Sequence, residues 1–141
     1  MNALAAHRHQ IELPDLSPVL ARRVTVLGST GSIGVNTLDV IGHARSVYGA
    51  DAFPVEAITA QSNVSVLVEQ ALKFNPKIAV IGDEKLYPEL KSALAGSGVE
   101  TAAGRAAVIA AAARPSDTVM VAIMGAAALE PASTAALSGS R

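Results

Sequence analysis

The chain of 141 residues has no cysteine, no tryptophan, only 3% aromatic residues and only 16% charged residues. Without cysteine there can be no disulfide, thiolate-held zinc, iron–sulfur cluster or thiol nucleophile. That composition suits a cytoplasmic protein. No stretch approaches the ~18 consecutive strongly apolar residues of a membrane span, so none is expected. The N-terminus lacks an apolar core of the secretory kind, so no signal peptide is expected either. Eleven Lys and Arg stand against twelve Asp and Glu, a net charge of −1. No basic run exceeds two residues, which argues against a general nucleic-acid surface. Asn63-Val64-Ser65 matches a glycosylation pattern, which is read as chance without a secretory signal.

What is present is small and aliphatic. Half the residues are hydrophobic, and 28 are alanine and 11 glycine. This excludes disorder over the whole chain and points to helices packed closely on a sheet. The length fits one domain of the usual ~100–200 residues. Residues 1–21 show no periodicity and are read as a loose N-terminal extension, followed by one domain over 22–141.

From Arg22 the pattern becomes regular. Residues 23–27 (RVTVL) form a short β-branched run ending at Gly28, as a buried parallel strand does. A helix follows, carrying Val35, Leu38, Ile41 and Val47, through about residue 44. Residues 54–60 read as a second strand. Val64, Leu67, Val68, Ala71 and Leu72 then recur as one face of a second helix, which Asn75-Pro76 stops. Residues 77–81 are a third strand. Asp83 can cap a third helix with Leu86, Leu90 and Leu94 on one face. Residues 99–101 form a weak fourth strand, 105–113 an alanine-rich helix, 118–124 a fifth strand, and 128–137 the start of another helix. Repeated strand–helix units of this length predict an α/β fold: a Rossmann-like, doubly wound parallel sheet with helices on both faces.

The turn Gly28-Ser29-Thr30-Gly31-Ser32-Ile33-Gly34 lies between the first strand and first helix, where a dinucleotide fingerprint belongs. Gly28 permits the tight turn. Gly31 removes a Cβ where a pyrophosphate would approach. Gly34 lets the helix pack against the sheet. Free N–H groups at the helix start would face the anion, with hydroxyls from Thr30 and Ser32 beside them. The spacing is Gly-x-x-Gly-x-x-Gly, and Val35 follows where a P-loop needs Lys. The alternative is an ordinary glycine turn.

An NAD site usually places an acid about 20 residues past these glycines, on the ribose 2′-hydroxyl. Here the second strand ends in Thr59-Ala60-Gln61-Ser62-Asn63, and Glu56 comes too early. A neutral tip accommodates a 2′-phosphate, so the sequence leans toward NADP. Asn63 can equally be a helix cap, and both roles stay open. Other candidates are weak. His7 and His9 lie in the extension, His43 near a helix end, and Asp83-Glu84 at a helix start. Asp39 has no triad partner, Tyr48 and Tyr87 lack the Lys of a Tyr-x-x-x-Lys site, and Arg105 more plainly begins a helix. Met124-Gly125-Ala126 falls at the carboxyl edge of the sheet, where ligands bind in such folds. No catalytic constellation and no metal-ligand set stands out.

Four stretches carry a family resemblance: VTVLGSTGSIGVNTLDVI (24–41), ITAQSNVSVLVEQALKFNPKIAVIGDE (58–84), the leucine-bearing helix with AAG (102–104), and VMVAIMGAAALEP (119–131). On these the chain resembles the N-terminal domain of 1-deoxy-D-xylulose 5-phosphate reductoisomerases. The resemblance implies an enzyme of isoprenoid biosynthesis. Such enzymes rearrange 1-deoxy-D-xylulose 5-phosphate, a phosphorylated sugar, and reduce it with NADPH to 2-C-methyl-D-erythritol 4-phosphate. They use a divalent metal, Mg²⁺ or Mn²⁺, and form homodimers. By position, Thr30, Gly31, Ser32 and Ile33 match the family's pyrophosphate-binding turn. Gln61, Ser62 and Asn63 match its 2′-phosphate segment, although many members carry Lys where this chain has Ser62. The family's metal ligands, substrate loop and C-terminal domain have no counterpart in the sequence. The chain is therefore read as truncated and, by itself, inactive, with an exposed apolar face that favours self-association. The alternatives are a stand-alone nucleotide-binding or regulatory module, or the cofactor domain of another NADP-dependent oxidoreductase such as a semialdehyde dehydrogenase. The latter leaves the 58–84 match without explanation.

Overall fold

The computed structural model describes residues 15–122, which form a five-stranded, wholly parallel sheet. A short helix α1 (Ser17–Leu20) precedes β1 (Val24–Leu27) and α2 (Ser32–Tyr48). Then come β2 (Val55–Ala60), α3 (Val64–Phe74) and β3 (Ile78–Ile81). A 3-10 turn (Glu84–Leu86) runs into α4 (Tyr87–Ala93), followed by β4 (Glu100–Ala103), α5 (Arg105–Ala112) and β5 (Thr118–Val121). The strand order is β4-β3-β2-β1-β5. The expected α/β class and helix placement are as the sequence pattern requires. The expected helix over 128–137 and Met124-Gly125-Ala126 lie outside the described residues.

The central strands explain themselves. All of β1 and all of β2 are buried, because helices cover both faces of a parallel sheet. On one face, Val26, Ile58, Ala79 and Ile81 meet Leu38 and Ile41 of α2, Leu67, Ala71 and Phe74 of α3, and Leu90 of α4. Fully burying such side chains contributes roughly 1.5–3 kcal/mol each. On the other face α5 is the helix among the described residues that crosses, its Ala111 packing with Ala57 and Val80 and its Ala112 with Leu27. The alanine-rich character of α5 is what lets it lie close to four strands. Since β1 lies between β2 and β5, the chain winds outward from β1 in one direction and then returns to its other side. The carboxyl ends of β1 and its neighbours therefore form the crevice where such sheets bind ligands.

Three sequence expectations need correction. Ser17–Leu20, inside the span read as loose, forms a helical turn, and the Leu20 carbonyl accepts a 2.6 Å bond from the Phe53 N–H. The first helix runs to Tyr48, not 44, and leaves Val47 exposed. On α3 the buried face is Val64, Leu67, Gln70, Ala71 and Phe74, while Leu72 is 59% exposed. The stripe is rotated because Gln70 has a buried polar partner, and an apolar residue at 72 points away from the sheet.

Polar anchors close the frame. Arg45 donates to the carbonyls of Ala52 (2.9 Å), Phe74 (3.0 Å) and Phe53 (3.1 Å), tying the end of α2 to the entry of β2 and the end of α3. Burial pulls its guanidinium below its ordinary pKa, and the nearby Asp51 carboxylate opposes that shift. The pairing of β1 with β2 slips between Val24 and Thr25, and the slip falls at Glu56. Its buried carboxylate takes Arg114 at 2.7 Å and Arg23 at 3.2 Å. This ion-pair group lies at the amino ends of the strands, opposite the crevice.

The Thr25 hydroxyl is fully buried and has no hydrogen-bond partner among the described residues. A buried hydroxyl without a partner costs about 1–3 kcal/mol. Thr25→Val is therefore expected to raise stability by about 1 kcal/mol, read as a higher urea midpoint at unchanged slope.

Candidate functional site

The crevice is built around one peptide. At the end of β1 the chain enters a turn in which Gly28 has a φ of 83°, a conformation that strongly favours glycine. Three elements hold this turn. From β2, the Thr59 carbonyl accepts the Gly28 N–H at 3.0 Å and the Ser29 N–H at 2.8 Å, and the Thr59 hydroxyl also accepts from the Gly28 N–H. From α3, the Gln70 amide nitrogen donates to the Ser29 carbonyl at 2.8 Å, while the Ser29 hydroxyl donates to the Gln70 amide oxygen at 2.7 Å. From α2, Gly34 sits so close that an added Cβ would fall 2.6 Å from the Ser29 Cα and against the Gly28 carbonyl oxygen.

The turn then delivers the chain into α2 at Gly31, whose carbonyl accepts the Val35 N–H at 2.8 Å. No side chain caps this helix start. By contrast Asn63 caps α3 and Asp83 caps the following 3-10 turn. The N–H groups of the first helical turn have no partner within the helix and carry the positive end of its dipole. Gly31 and Ser32 are exposed, Ile33 is 52% exposed, and Thr30 is partly buried. Unlike Gly34, Gly31 has ordinary backbone angles and open space beside it. A Cβ there would meet only the Gly28 carbonyl, at 3.7 Å. Nothing in the described chain requires glycine at 31.

The segment after β2 adjoins this turn through the Thr59 bonds. Gln61, Ser62 and Asn63 are all exposed. Asn63 is indeed a cap, its Oδ1 accepting the Val66 N–H at 3.3 Å. The Gln61 side chain lies on Gly82, where an added Cβ would fall 2.8 Å from the Gln61 Cδ. The Gln61 main-chain carbonyl accepts the Asp83 N–H at 2.9 Å. The structure thus brings the sequence-identified turn and segment to one edge of the sheet.

Other sequence candidates fall elsewhere. His43 and Tyr48 are exposed on α2, and Tyr87 contacts Thr101 beside α4. Asp39 lines a groove of about 190 Å³ between α2 and α3. Among the described residues no group of three or more His, Cys, Asp or Glu side chains could hold a metal ion. Sequence reasoning missed Ser29, Thr59 and Gln70. The available signal was Gln70 itself, a polar residue at i+3 from Leu67 on an otherwise apolar helix face.

A parallel sheet whose first strand passes through a glycine turn into an uncapped helix defines a dinucleotide-binding α/β domain. The family model described as 1-deoxy-D-xylulose 5-phosphate reductoisomerase matches residues 24–141, and the chain belongs to this family. It is 52% identical over 118 residues to the reductoisomerase of Rhizobium rhizogenes and 50% identical over 118 residues to that of Allorhizobium ampelinum, covering 84% of this chain in each case. Among solved structures it is similar to the Zymomonas mobilis reductoisomerase in complex with NADPH, with a TM-score of 0.78, 47% identity and 84% of this chain covered. It is also similar to a reductoisomerase in complex with NADPH, fosmidomycin and magnesium, with a TM-score of 0.76, 29% identity and 85% of this chain covered. The chain spans only 29% of the length of the two curated relatives, and 30% and 29% of the two solved chains.

The two close glycines separate by role. Gly34→Ala forces a backbone clash, and overpacking of this kind costs about 1–3 kcal/mol or more. It is expected to lower the thermal midpoint clearly, whereas Gly31→Ala leaves it within experimental error. Circular dichroism melts of both variants check this.

Proposed function

We propose that this chain binds NADPH along the carboxyl edge of its sheet and forms the cofactor half of a 1-deoxy-D-xylulose 5-phosphate reductoisomerase. The observation that carries the reading is Gly31. It is a glycine with no structural demand of its own, at an uncapped helix start, as though space were reserved for something outside the chain. In this reading the backbone of Thr30, Gly31, Ser32 and Ile33 receives the pyrophosphate. An anion so placed gains about 0.3–1 kcal/mol from the helix dipole, and up to ~2 where partly buried. Gln61, Ser62 and Asn63 receive the 2′-phosphate. The two roles of Asn63 are compatible. Its Oδ1 is spent on the cap, and its amide N–H groups remain as donors to an anion. No carboxylate stands among 59–63 to repel that phosphate.

NADPH, when bound, supplies the hydride that reduces the rearranged sugar phosphate to 2-C-methyl-D-erythritol 4-phosphate. The residues of this chain bind and orient the cofactor. Among the described residues no group of three or more His, Cys, Asp or Glu side chains fits a divalent metal. The family reading also carries a small phosphorylated sugar as substrate and a homodimer as the assembly. Among the described residues no helix is long and apolar enough to cross a membrane. A cytoplasmic location is proposed from the cysteine-free composition and the family reading together.

Titration of the purified chain with NADPH and NADH, followed by nicotinamide fluorescence, tests this directly. NADPH is expected to bind at least about tenfold more tightly, equivalent to ~1.4 kcal/mol. Equal affinities would remove the 2′-phosphate assignment and keep the dinucleotide fold. No binding to a folded chain would remove the reading altogether. Gly31→Ala is expected to weaken NADPH by about tenfold or more at unchanged stability, since its added methyl stands where the ligand would lie.

A further inference from the structure

The Ser29–Gln70 pair joins the glycine turn to α3 between two buried side chains 41 residues apart. Its geometry is reciprocal: each residue donates to the other, so the four groups form a closed ring. Every polar atom involved is thereby satisfied without water. The far end of the same helix starts at Asn63, in the segment that follows β2. One rigid helix of 11 residues therefore has its N-terminus at the proposed 2′-phosphate segment and its second turn locked onto the proposed pyrophosphate turn. An apolar residue at 70 would match its core neighbours Leu67, Ala71 and Phe74 but would leave the buried Ser29 carbonyl without a partner, so the polar choice at 70 serves the turn.

We propose that Ser29 and Gln70 are positioning residues for NADPH: they fix the pyrophosphate turn at a set height and register relative to the 2′-phosphate segment. The proposal rests on the NADPH reading above. Without the pair, the Ser29 carbonyl can rotate away from α3, and the N–H groups that follow it lose their common direction. Binding of a ligand that spans both subsites suffers. Binding of a ligand that occupies only the 2′-phosphate segment does not.

The test uses Gln70→Met, which keeps the length and removes both hydrogen bonds, Gln70→Glu, which keeps only the acceptor, and Ser29→Ala. Each is titrated with NADPH and with adenosine 2′-monophosphate, which lacks the pyrophosphate, using chemical-shift changes for the weaker ligand. Gln70→Met is expected to weaken NADPH about tenfold, and Ser29→Ala, which keeps the bond to the Ser29 carbonyl, by less, both leaving adenosine 2′-monophosphate within twofold. The double variant Ser29→Ala with Gln70→Met is expected to lose little more than Gln70→Met alone, because the two residues act as one unit. Gln70→Glu, which has no donor for the Ser29 carbonyl, is expected to fall with Gln70→Met. Equal loss for both ligands, or no loss for NADPH, overturns the positioning role. If Gln70→Met does not fold, Ser29→Ala and Gln70→Glu carry the comparison, and failure of all three to fold makes the pair a folding element and overturns it as well. Wild-type chain that folds but binds no NADPH overturns the functional reading first, and this proposal with it.

Discussion

Everything at the carboxyl edge of this sheet depends on how the Gly28–Ser29 peptide is held. A strand-to-helix turn reverses the chain within a few residues, and its backbone groups cannot all find partners inside the turn. Here β2 takes the two N–H groups through Thr59, and α3 takes the Ser29 carbonyl through Gln70. The close approach of Gly34 then leaves the first turn of α2 no freedom to lift. Three different elements therefore converge on one peptide. Just beyond it the N–H groups of the first turn of α2 have no partner within the helix and no side-chain cap.

This arrangement explains which parts of the molecule were legible in the sequence. The strands were, since both central ones are covered on both faces and must be continuous apolar runs. The turn was, since Gly28 and Gly34 answer local demands of φ and close packing that only glycine meets. The place of Gln61–Asn63 at the sheet's edge was, since the segment lies between a strand and a helix. Ser29, Thr59 and Gln70 were not, because their roles exist only across 31 to 41 residues of sequence. A serine next to a glycine looks like turn composition, and a glutamine in a helix looks like surface. The misplaced apolar face of α3 is the same error seen from the other side: counting Leu72 inward left no room for Gln70 there.

The two ends of the sheet use polar groups in opposite ways. At the amino end Glu56 sits at the register slip between β1 and β2 and is closed off by Arg23 and Arg114, so its charge is consumed internally. At the carboxyl end the buried Ser29–Gln70 pair is neutral, and the start of α2 leaves backbone N–H donors without a side-chain cap. Beside the glycine turn, the neutral Ser29–Gln70 pair and the uncapped start of α2 suit an anion, while Asp83 and Glu84 stand further along the same edge, past β3. The separation also removes Glu56 from contention as a ribose ligand on position alone: it lies at the start of its strand, and ligands in such sheets bind past the ends.

The neutral tip at Gln61–Asn63 raises the question of how a doubly charged phosphate would be held without the lysine common in the family. The structure offers a backbone answer. Asn63 starts α3, so the segment lies at the positive end of an 11-residue helix. That helix cannot tilt freely, because Val64, Leu67, Ala71 and Phe74 pack it into the core and the Arg45 bond to the Phe74 carbonyl fixes its end. A dipole of fixed direction, worth about 0.3–1 kcal/mol at an exposed site, acts on whatever sits there. A lysine at 62 would add a point charge on a flexible stem, paying rotamer entropy to order it. Exchanging that charge for serine shifts the burden of holding the phosphate from a mobile side chain to the alignment of a helix. If this segment takes the 2′-phosphate as proposed, selectivity for it depends less on the residue at 62 than on the contacts that keep α3 in place.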